Sequence, residues 1–206
     1  MKVAIVGGTG SFGRALAARL RDQSLDVAVG SRDHDRGLER GVELGVRGGS
    51  NAEIVGDADL VILATRSNAA IETARELADA IGETPVLCVA SDLRFTEEGI
   101  FPGRDSYSLA EELAQTIPAP VASGLQSVSA VELARPEPPD QDALVCGDDA
   151  VAKELAMEVA GKVVAGRAID CGPLANSRAL EGMTAVMLNV NKRYGGHAGI
   201  RLTGIP

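Results

Sequence analysis

Three glycines near the amino terminus have the spacing of a phosphate-binding turn. A short apolar run, residues 3–6, leads into Gly8, Gly10 and Gly13, which fit G-x-G-x-x-G, and an Ala/Leu/Arg-rich helical pattern follows. In this motif the first glycine permits a tight turn, the second lets backbone approach a pyrophosphate, and the third lets helix pack on strand. The helix N-terminus then presents free N–H groups and the positive end of its dipole. The strand–turn–helix pattern therefore predicts a dinucleotide site.

The end of the second predicted strand indicates which dinucleotide binds. An NAD-specific site usually carries Asp or Glu about 20 residues beyond the glycines, where it accepts hydrogen bonds from the ribose 2′-hydroxyl. This chain has Ser31 and Arg32 there, with Arg36 one helical turn later. A hydroxyl and two guanidinium groups suit a 2′-phosphate, which a carboxylate would repel. We therefore predict NADP(H), with a solvated charge cluster as the alternative, and we expect Asp33 to cap the next helix.

Composition restricts the possible partners. The 206 residues can bury one substantial core, and the formal net charge is −9. This charge argues against nucleic acid and anionic membranes, because both attract basic surfaces. No apolar run approaches membrane-spanning length, and the chain begins with a strand pattern in place of an apolar leader. We therefore expect a cytoplasmic protein whose partners are small molecules.

Few side chains suit nucleophilic or metal chemistry. The two histidines, His34 and His197, are too sparse for a metal cluster, and no G-x-S-x-G nucleophile elbow occurs. Cys88, Cys146 and Cys171 lie far apart, which is typical of small apolar residues in a reducing compartment. The sequence therefore predicts neither a metal site nor a catalytic side chain.

Apolar runs alternate with helical patterns along the chain. The runs at 60–65, 86–91 and 120–125 are continuous, as in parallel strands that are buried on both faces. This alternation predicts an α/β protein with a Rossmann-type, doubly wound, mainly parallel sheet. Ligands of such sheets gather at the carboxyl ends of the strands. The polar side chains expected at those ends are Thr65, Arg66, Ser91, Asp92, Gln126, Ser127 and Ser129.

Local signals in the other segments are weaker. Ser67 or Asn68 is expected to cap the helix after the apolar run 60–65. Residues 94–107 are expected to form a loop and residues 163–170 a strand, while the proline-rich stretch 135–142 is either a linker or a surface loop.

The longest helical pattern lies near the carboxyl end and runs to about Arg193, and an edge strand is expected over residues 200–203. A helix face of Met and Leu is more typical of core or of a dimer contact than of a cofactor site. We therefore expect a homodimer.

Five blocks resemble those of the NADPH-dependent coenzyme F420 reductases and occur in the family's order. The first two blocks, which hold the glycine turn and Gly30-Ser31-Arg32, are shared with many NADP reductases. The later blocks make the resemblance specific. The five blocks are residues 2–10, 29–32, 145–149, 170–174 and 188–194.

The resemblance implies that hydride passes between C4 of a nicotinamide and C5 of a stacked deazaflavin, so that NADP(H) and coenzyme F420 carry the chemistry. It also implies which residues contact each group. These are Thr9, Gly10, Ser11 and Phe12 for the pyrophosphate, Ser31, Arg32 and Arg36 for the 2′-phosphate, Thr65 for the nicotinamide ribose, Ser91, Val128, Ser129 and Ala130 for the border of the ring cleft, and Ala198 for the deazaflavin.

Departures from the family pattern fall on the acceptor side. Members commonly carry Pro and His where this chain has Arg66 and Ala69, Pro in place of Asp92, and His in place of Gln126 or Ser127. Asp92 is then either a catalytic acid or a capping loop residue, and Arg66 is either a contact for an anionic acceptor group or a surface residue.

These departures leave the acceptor open. Gln126 and Ser127 are candidate substrate contacts. The alternatives to F420 are another deazaflavin form, a small imine, a ketone or a flavin, and a third reading is an NADP-binding sensor without turnover.

The domain prediction follows from both lines of reasoning. Residues 1–170 are expected to form an NADP-binding Rossmann domain, and residues 171–206 a helix and strand that close the acceptor cleft.

Overall fold

An eight-stranded sheet forms the centre of the protein, and the computed structural model describes residues 1–205. Its strand order is β10-β9-β8-β5-β4-β1-β2-β3, and every neighbouring pair is parallel except β8 and β9. The α/β, mainly parallel prediction is therefore confirmed. The strands are β1 Lys2–Val6, β2 Asp26–Ser31, β3 Arg47–Ser50, β4 Leu60–Leu63, β5 Val86–Cys88, β6 Leu93–Phe95, β7 Ile100–Pro102, β8 Val121–Gly124, β9 Ala143–Gly147 and β10 Ala168–Asp170.

Helices cover both faces of this sheet. Alternate residues of β1 enter opposite cores: Val3 and Ile5 pack under α1, α6 and α7, while Ala4 and Val6 pack under α3, α4 and α5. Burial on both faces explains the continuous apolar runs. The helices are α1 Ser11–Asp22, α2 His34–Leu44, α3 Asn51–Val55, α4 Ser67–Ile81, α5 Leu109–Thr116, α6 Ala130–Leu133, α7 Ala150–Val163 and α8 Ser177–Tyr194, with a 3-10 turn at Leu174–Asn176.

The long helix α8 is attached to the sheet by polar contacts along its length. Near its start the Ser177 hydroxyl lies 2.5 Å from the Ser108 hydroxyl, and Glu181 Oε1 accepts the Ala110 N–H at 3.3 Å. Farther along, Asn189 exchanges two hydrogen bonds with the backbone of Ile100. The helix therefore connects α5 with the β6–β7 hairpin.

Two of the predicted loop and strand assignments were wrong. Residues 94–107 contain the β6–β7 hairpin, which pairs Leu93 with Pro102 across a short turn. The predicted strand 163–170 is reduced to Ala168–Asp170, because α7 continues through Val163. In that helix Val159 and Val163 lie one turn apart and are both buried. Their spacing fits a helix, although β-branched residues are also common in strands.

One further assignment was wrong, and one pair of alternatives was resolved. Residues 200–203 form no strand, and Ile200 and Leu202 instead bond to Asp142. The stretch 135–142 is a surface loop, held in part by Arg19, which donates to the carbonyls of Arg135 and Pro136. Within residues 1–205, no helix is long and apolar enough to cross a membrane.

Candidate functional site

The glycine turn after β1 depends on three close approaches. Gly7 has a left-handed φ of +79°, and a Cβ there would lie 2.9 Å from the Ala64 carbonyl oxygen. A Cβ on Gly8 would lie 2.8 Å from Val29, and one on Gly13 would lie 2.8 Å from the Gly7 oxygen. The tight turn therefore comes from Gly7, one residue earlier than predicted, because Gly8 is instead pressed against β2.

Gly10 is the exception in this turn because it faces open space. The nearest atom to a Cβ built on it, the Gly7 oxygen, is 3.5 Å away, an ordinary contact distance. Gly10 is also the N-cap residue of α1 and supplies no side-chain cap. The first N–H groups of α1 are thus exposed at a position where an anion can approach the backbone.

Helix capping separates the ligand-facing helices from the others. Two helices, α1 and α4, lack a side-chain cap and begin at the same cavity, and α4 has Arg66 at its N-cap position in place of the predicted Ser67 or Asn68. Helix α8 also lacks such a cap but follows a 3-10 turn. The remaining helices are capped by Asp33, Ser50, Ser108, Ser129 and Asp149.

The first cavity, here called the turn cavity, has a volume of about 510 Å³. It brings together Ser31, Arg32 and Arg36 with the glycine turn. Asp33 does not compete for these cations, because its carboxylate accepts the Arg36 backbone N–H at 2.9 Å as the cap of α2. The lining residues are Gly7, Thr9, Gly10, Ser31, Arg32, Arg36, Asn51, Ala64, Thr65, Arg66, Asn68, Ala69 and Thr73.

Two polar atoms of this cavity lack partners within residues 1–205. Asn51 is 7% exposed and its Oδ1 accepts no hydrogen bond, and the Thr65 hydroxyl is similarly unpaired. Buried polar atoms are normally satisfied, so these two fit a bound polar ligand. Asn51 was missed by the sequence analysis because residues 45–56 showed no clear periodicity.

A second cavity of about 490 Å³, the bridge cavity, adjoins the first. The two share Thr65, Arg66 and Asn68, and the bridge cavity adds Ser91 at the end of β5. Asp92 lies here too, but its carboxylate accepts a hydrogen bond from Arg104 at 2.8 Å. This ion pair favours a structural role for Asp92 over a catalytic one.

The third cavity, the α8 cavity, has a volume of about 370 Å³ and lies between the loop after β8 and α8. Four of its residues, Thr184, Met187, Leu188 and Asn191, belong to α8. They were not predicted as ligand contacts, because a helix face of Met and Leu is more typical of a hydrophobic core. The lining residues are Gln126, Ser127, Val128, Ser129, Ala130, Val131, Thr184, Met187, Leu188, Asn191, His197 and Ala198.

Thr184 joins the bridge cavity to the α8 cavity. Its hydroxyl lies 2.8 Å from the Ser91 hydroxyl and donates to the Gln126 carbonyl oxygen at 3.0 Å. Because the single hydroxyl proton of Thr184 is used in that bond, the Ser91 hydroxyl donates to Thr184 Oγ1. The ends of β5 and β8 are therefore fixed to α8 at one point.

Gln126 is oriented by its own hydrogen bonds. Its Nε2 donates to the Cys88 carbonyl oxygen at 3.2 Å and to the Ser123 hydroxyl at 2.7 Å. The Oε1 atom and the Ser127 hydroxyl have no partner within residues 1–205. Because the Cys88 carbonyl can only accept, the amide nitrogen must face it, and the unpaired atom is an acceptor.

No strong nucleophile is evident in these cavities. Burial raises the pKa of the Cys88 and Cys146 thiols to about 12, so both remain protonated near neutral pH. The part of the chain that the structure describes contains no group of three or more His, Cys, Asp or Glu residues that could hold a metal. The arrangement suits binding and orientation of ligands that bring their own chemistry.

Comparison with known proteins agrees with this geometry. The chain is 31% identical to the F420-dependent NADP reductase of Methanothermobacter thermautotrophicus, over 100% of this chain and 96% of the relative. It is 32% identical to the enzyme of the same name from Methanothermobacter marburgensis, over the full length of both. The chain belongs to the F420-dependent NADP reductase family. A sequence model for "NADP oxidoreductase coenzyme F420-dependent" also matches residues 2–91.

Solved structures of this family and beyond share the fold. An Arthrobacter sp. FB24 protein proposed to be an F420-dependent NADP reductase superposes with a TM-score of 0.86 at 24% identity, covering 98% of this chain and 99% of its own. The imine reductase of Streptomyces aurantiacus superposes with a TM-score of 0.64 at 19% identity, covering 94% and 61%. At these identities the likeness concerns the fold alone.

Most of the predicted contacts gather in the three cavities, and three residues do not line them. Gly8 packs on β2, Phe12 packs against the core beneath α1, and Ser11 is exposed at the start of α1. The first two lie behind the turn, and a contact from Ser11 or Phe12 to a phosphate would use the backbone N–H.

Proposed function

We propose that this chain transfers a hydride between NADP(H) and coenzyme F420 across the three adjoining cavities. The observation that carries this proposal is the full-length identity with two F420-dependent NADP reductases. The turn cavity supplies a second line of support. Two uncapped helix N-termini, the two arginines Arg32 and Arg36, and two buried polar atoms without partners all line it.

The NADP(H) assignment uses the turn cavity. Thr9, Gly10 and the first N–H groups of α1 would hold the pyrophosphate, since a negative group is stabilised at an uncapped helix N-terminus. Ser31, Arg32 and Arg36 would hold the 2′-phosphate, where guanidinium groups provide charge-assisted hydrogen bonds. Asn51 has the unpaired acceptor that would bind an N–H or O–H of the adenosine.

The bridge and α8 cavities would hold the reacting rings. Thr65, which lines both the turn and bridge cavities, would contact the nicotinamide ribose, and Ser91 in the bridge cavity would border the ring cleft. Val128, Ala130 and Ala198 would give the deazaflavin an apolar border, while Gln126 and Ser127 carry the polar atoms. Arg66, at the start of α4, would pair with an anionic group of the acceptor.

The two cofactors supply the hydride donor and acceptor carbons when bound. The chain's own contribution is orientation: Thr184 fixes the ends of β5 and β8 to α8, so the walls on either side of the reacting rings keep a constant separation. The apolar side chains of Val128, Met187 and Leu188 line the α8 cavity and would shield one side of a bound ring from water. Reduction of the deazaflavin by NADPH also takes up one proton, which would come from solvent.

The direct test is hydride transfer by the purified protein. NADPH and oxidised F420 are mixed with the protein, and the absorbance of each cofactor is followed. We expect both to change together, with Gln126→Ala lowering the rate and the exposed Arg75→Ala, on the outer part of α4, leaving it unchanged. NADPH binding without hydride transfer to F420 would contradict the F420 assignment. If NADPH were then oxidised by an imine, ketone or flavin, that compound class would be the acceptor.

Several finer assignments belong to the same proposal. We infer an NADP-binding part over residues 1–170 and a closing segment over 171–206, whose last residue, Pro206, lies outside the described part. A homodimer through α8 is supported by Val186, which is 54% exposed in the middle of that helix. A monomeric mass in solution would contradict the dimer. The free, buried Cys88 and Cys146 support a cytoplasmic location.

A further inference from the structure

The segment after α8 forms one wall of the α8 cavity but has no secondary structure of its own. Helix α8 ends at Tyr194, Gly195 takes a left-handed conformation, and the chain turns back so that His197 and Ala198 line the cavity. Residues 195–205, the tail, therefore need contacts from elsewhere to hold their position.

One buried aspartate makes two of these contacts, one through its carboxylate and one through its backbone N–H. Asp142, at the start of β9, has no exposed surface, and its Oδ2 accepts the Leu202 N–H at 2.9 Å. Its backbone N–H donates to the Ile200 carbonyl oxygen at 2.7 Å. The same carboxylate accepts the backbone N–H and the guanidinium of Arg167, each at 2.9 Å. These donors hold the pKa of Asp142 well below its usual range, so the carboxylate stays charged.

Two neighbouring contacts bring the tail close to the cavity. Asn191, a lining residue, accepts the Ala198 N–H at 2.6 Å through its side-chain oxygen. Gly199 lies so near the buried Gln141 that a Cβ there would overlap its Oε1 and lie 2.8 Å from its Cβ. The tail is thus fixed at 198, 199, 200 and 202, directly after the residues that line the cavity.

We propose that Asp142 is a positioning residue of the acceptor site: by holding Ile200 and Leu202 it places His197 and Ala198 as a wall against the bound acceptor. It touches neither cofactor and acts through the tail. This proposal rests on the proposed function, because the acceptor is assigned to the α8 cavity there. Asp142 lies in the stretch that the sequence showed only as a linker or loop.

The test compares Asp142→Asn with Asp140→Asn. In D142N the new side-chain NH₂ group faces the N–H donors of Arg167 or Leu202, so at least one hydrogen bond is lost. Asp140 is the control because it is an exposed acid of the same loop that pairs with Arg201 of the tail. We expect D142N to raise the KM for F420 by about tenfold with the Kd for NADPH within about twofold, because the disturbance is confined to one wall. D140N should match the wild type, since exposed ion pairs contribute little.

Three results would overturn the proposal. A proportional loss of NADPH and F420 binding would indicate general destabilisation, and unchanged constants in D142N would show that the tail does not depend on Asp142. An equal effect in D140N would assign the result to surface charge.

If D142N does not fold, Gly199→Ala replaces it, because the added Cβ displaces the tail from Gln141 without exposing a buried charge. This variant too should raise the KM for F420 and leave the Kd for NADPH nearly unchanged.

Hydrogen exchange separates this proposal from the proposed function. In D142N the amides of Ala198 and Leu202 should exchange at least about tenfold faster, while that of Ile5 in β1 should not change. This readout needs no acceptor. If the wild type fails to reduce F420 but the tail amides respond, only the acceptor assignment is wrong; unchanged tail exchange refutes the role of Asp142.

Discussion

The NADP(H) side and the acceptor side of this protein are assembled in different ways. The turn cavity takes its glycines, the uncapped start of α1 and two of its three arginines from residues 7–36, and the rest of its lining from residues 51–73. The α8 cavity combines residues 126–131 with parts of α8 and a tail about 70 residues farther along the chain. The glycine turn is fixed by local backbone geometry, whereas the α8 cavity depends on how two segments far apart in the chain dock. Changes in the first should therefore affect NADPH, and changes in the second should affect the acceptor.

The largest effect is expected in the glycine turn, where two neighbouring glycines should behave differently. Gly7→Ala forces a left-handed Ala against the Ala64 carbonyl and should cost about 2–4 kcal/mol of unfolding free energy. Gly10→Ala meets no atom closer than 3.5 Å and should leave stability within about 0.5 kcal/mol.

Urea unfolding and NADPH titration distinguish the two variants. G10A should still weaken NADPH binding by about tenfold, because its Cβ occupies the space in which the pyrophosphate approaches the backbone. A stable G10A variant with unchanged NADPH affinity would place the pyrophosphate elsewhere.

The next effect concerns the choice of dinucleotide. Arg32→Ala should weaken NADPH binding by roughly 10- to 100-fold and leave NADH binding nearly unchanged, since a charge-assisted hydrogen bond to the 2′-phosphate is lost. Equilibrium titration with both dinucleotides measures this selectivity. Arg75→Ala, an exposed arginine on α4, is the control. Equal losses for NADPH and NADH would refute the 2′-phosphate assignment.

A smaller effect is expected at the junction of the bridge and α8 cavities. Thr184→Val keeps the shape but removes the hydroxyl that joins Ser91 to the Gln126 carbonyl, so kcat/KM for F420 should fall about fivefold. NADPH affinity should not change. Thr116→Val also removes a hydroxyl–carbonyl hydrogen bond, but at the end of α5, and serves as the matched control. A loss confined to NADPH would contradict the division between the two sides.

The smallest effect is a pH dependence of stability from Glu181. Burial raises the pKa of this carboxyl on α8, although backbone N–H groups of Leu109 and Ala110 oppose the shift. The folded state therefore holds the proton more tightly than the unfolded state. Stability from this group is present below the unfolded pKa near 4.5 and is lost as pH rises through the raised pKa, by at most about 1.4 kcal/mol per pH unit.

Glu181→Gln should remove this dependence. Unfolding free energies measured in urea at several pH values should show the wild type losing stability relative to E181Q as pH rises above the ordinary carboxyl range. The exposed Glu76→Gln should follow the wild-type profile. Parallel profiles for wild type and E181Q would mean that the backbone donors fully compensate for burial.

Two of the departures from the sequence prediction share one cause. Arg94 to Tyr107 carries no alternating apolar pattern, yet β6 and β7 pair because Asn189 of α8 binds the backbone of Ile100. Residues 200–203 have a strand-like composition, but Asp142 takes their hydrogen bonds in place of a neighbouring strand. In both places a distant side chain replaced the local partner that the pattern suggested.

The sequence by itself determined the sheet class, the glycine turn after the first strand, and the presence of Ser31, Arg32 and Arg36 beside that turn. These features depend on the two-residue and 3.6-residue periods and on glycine spacing, which act over a few neighbouring residues. Only the tertiary structure showed that Gly7 makes the tight turn, that Asn51 faces the turn cavity, that Thr184 joins Ser91 to the Gln126 carbonyl, and that Asp142 binds the tail. Those roles arise from contacts between residues far apart in the chain. Such contacts cannot be predicted from a pattern that repeats every few residues.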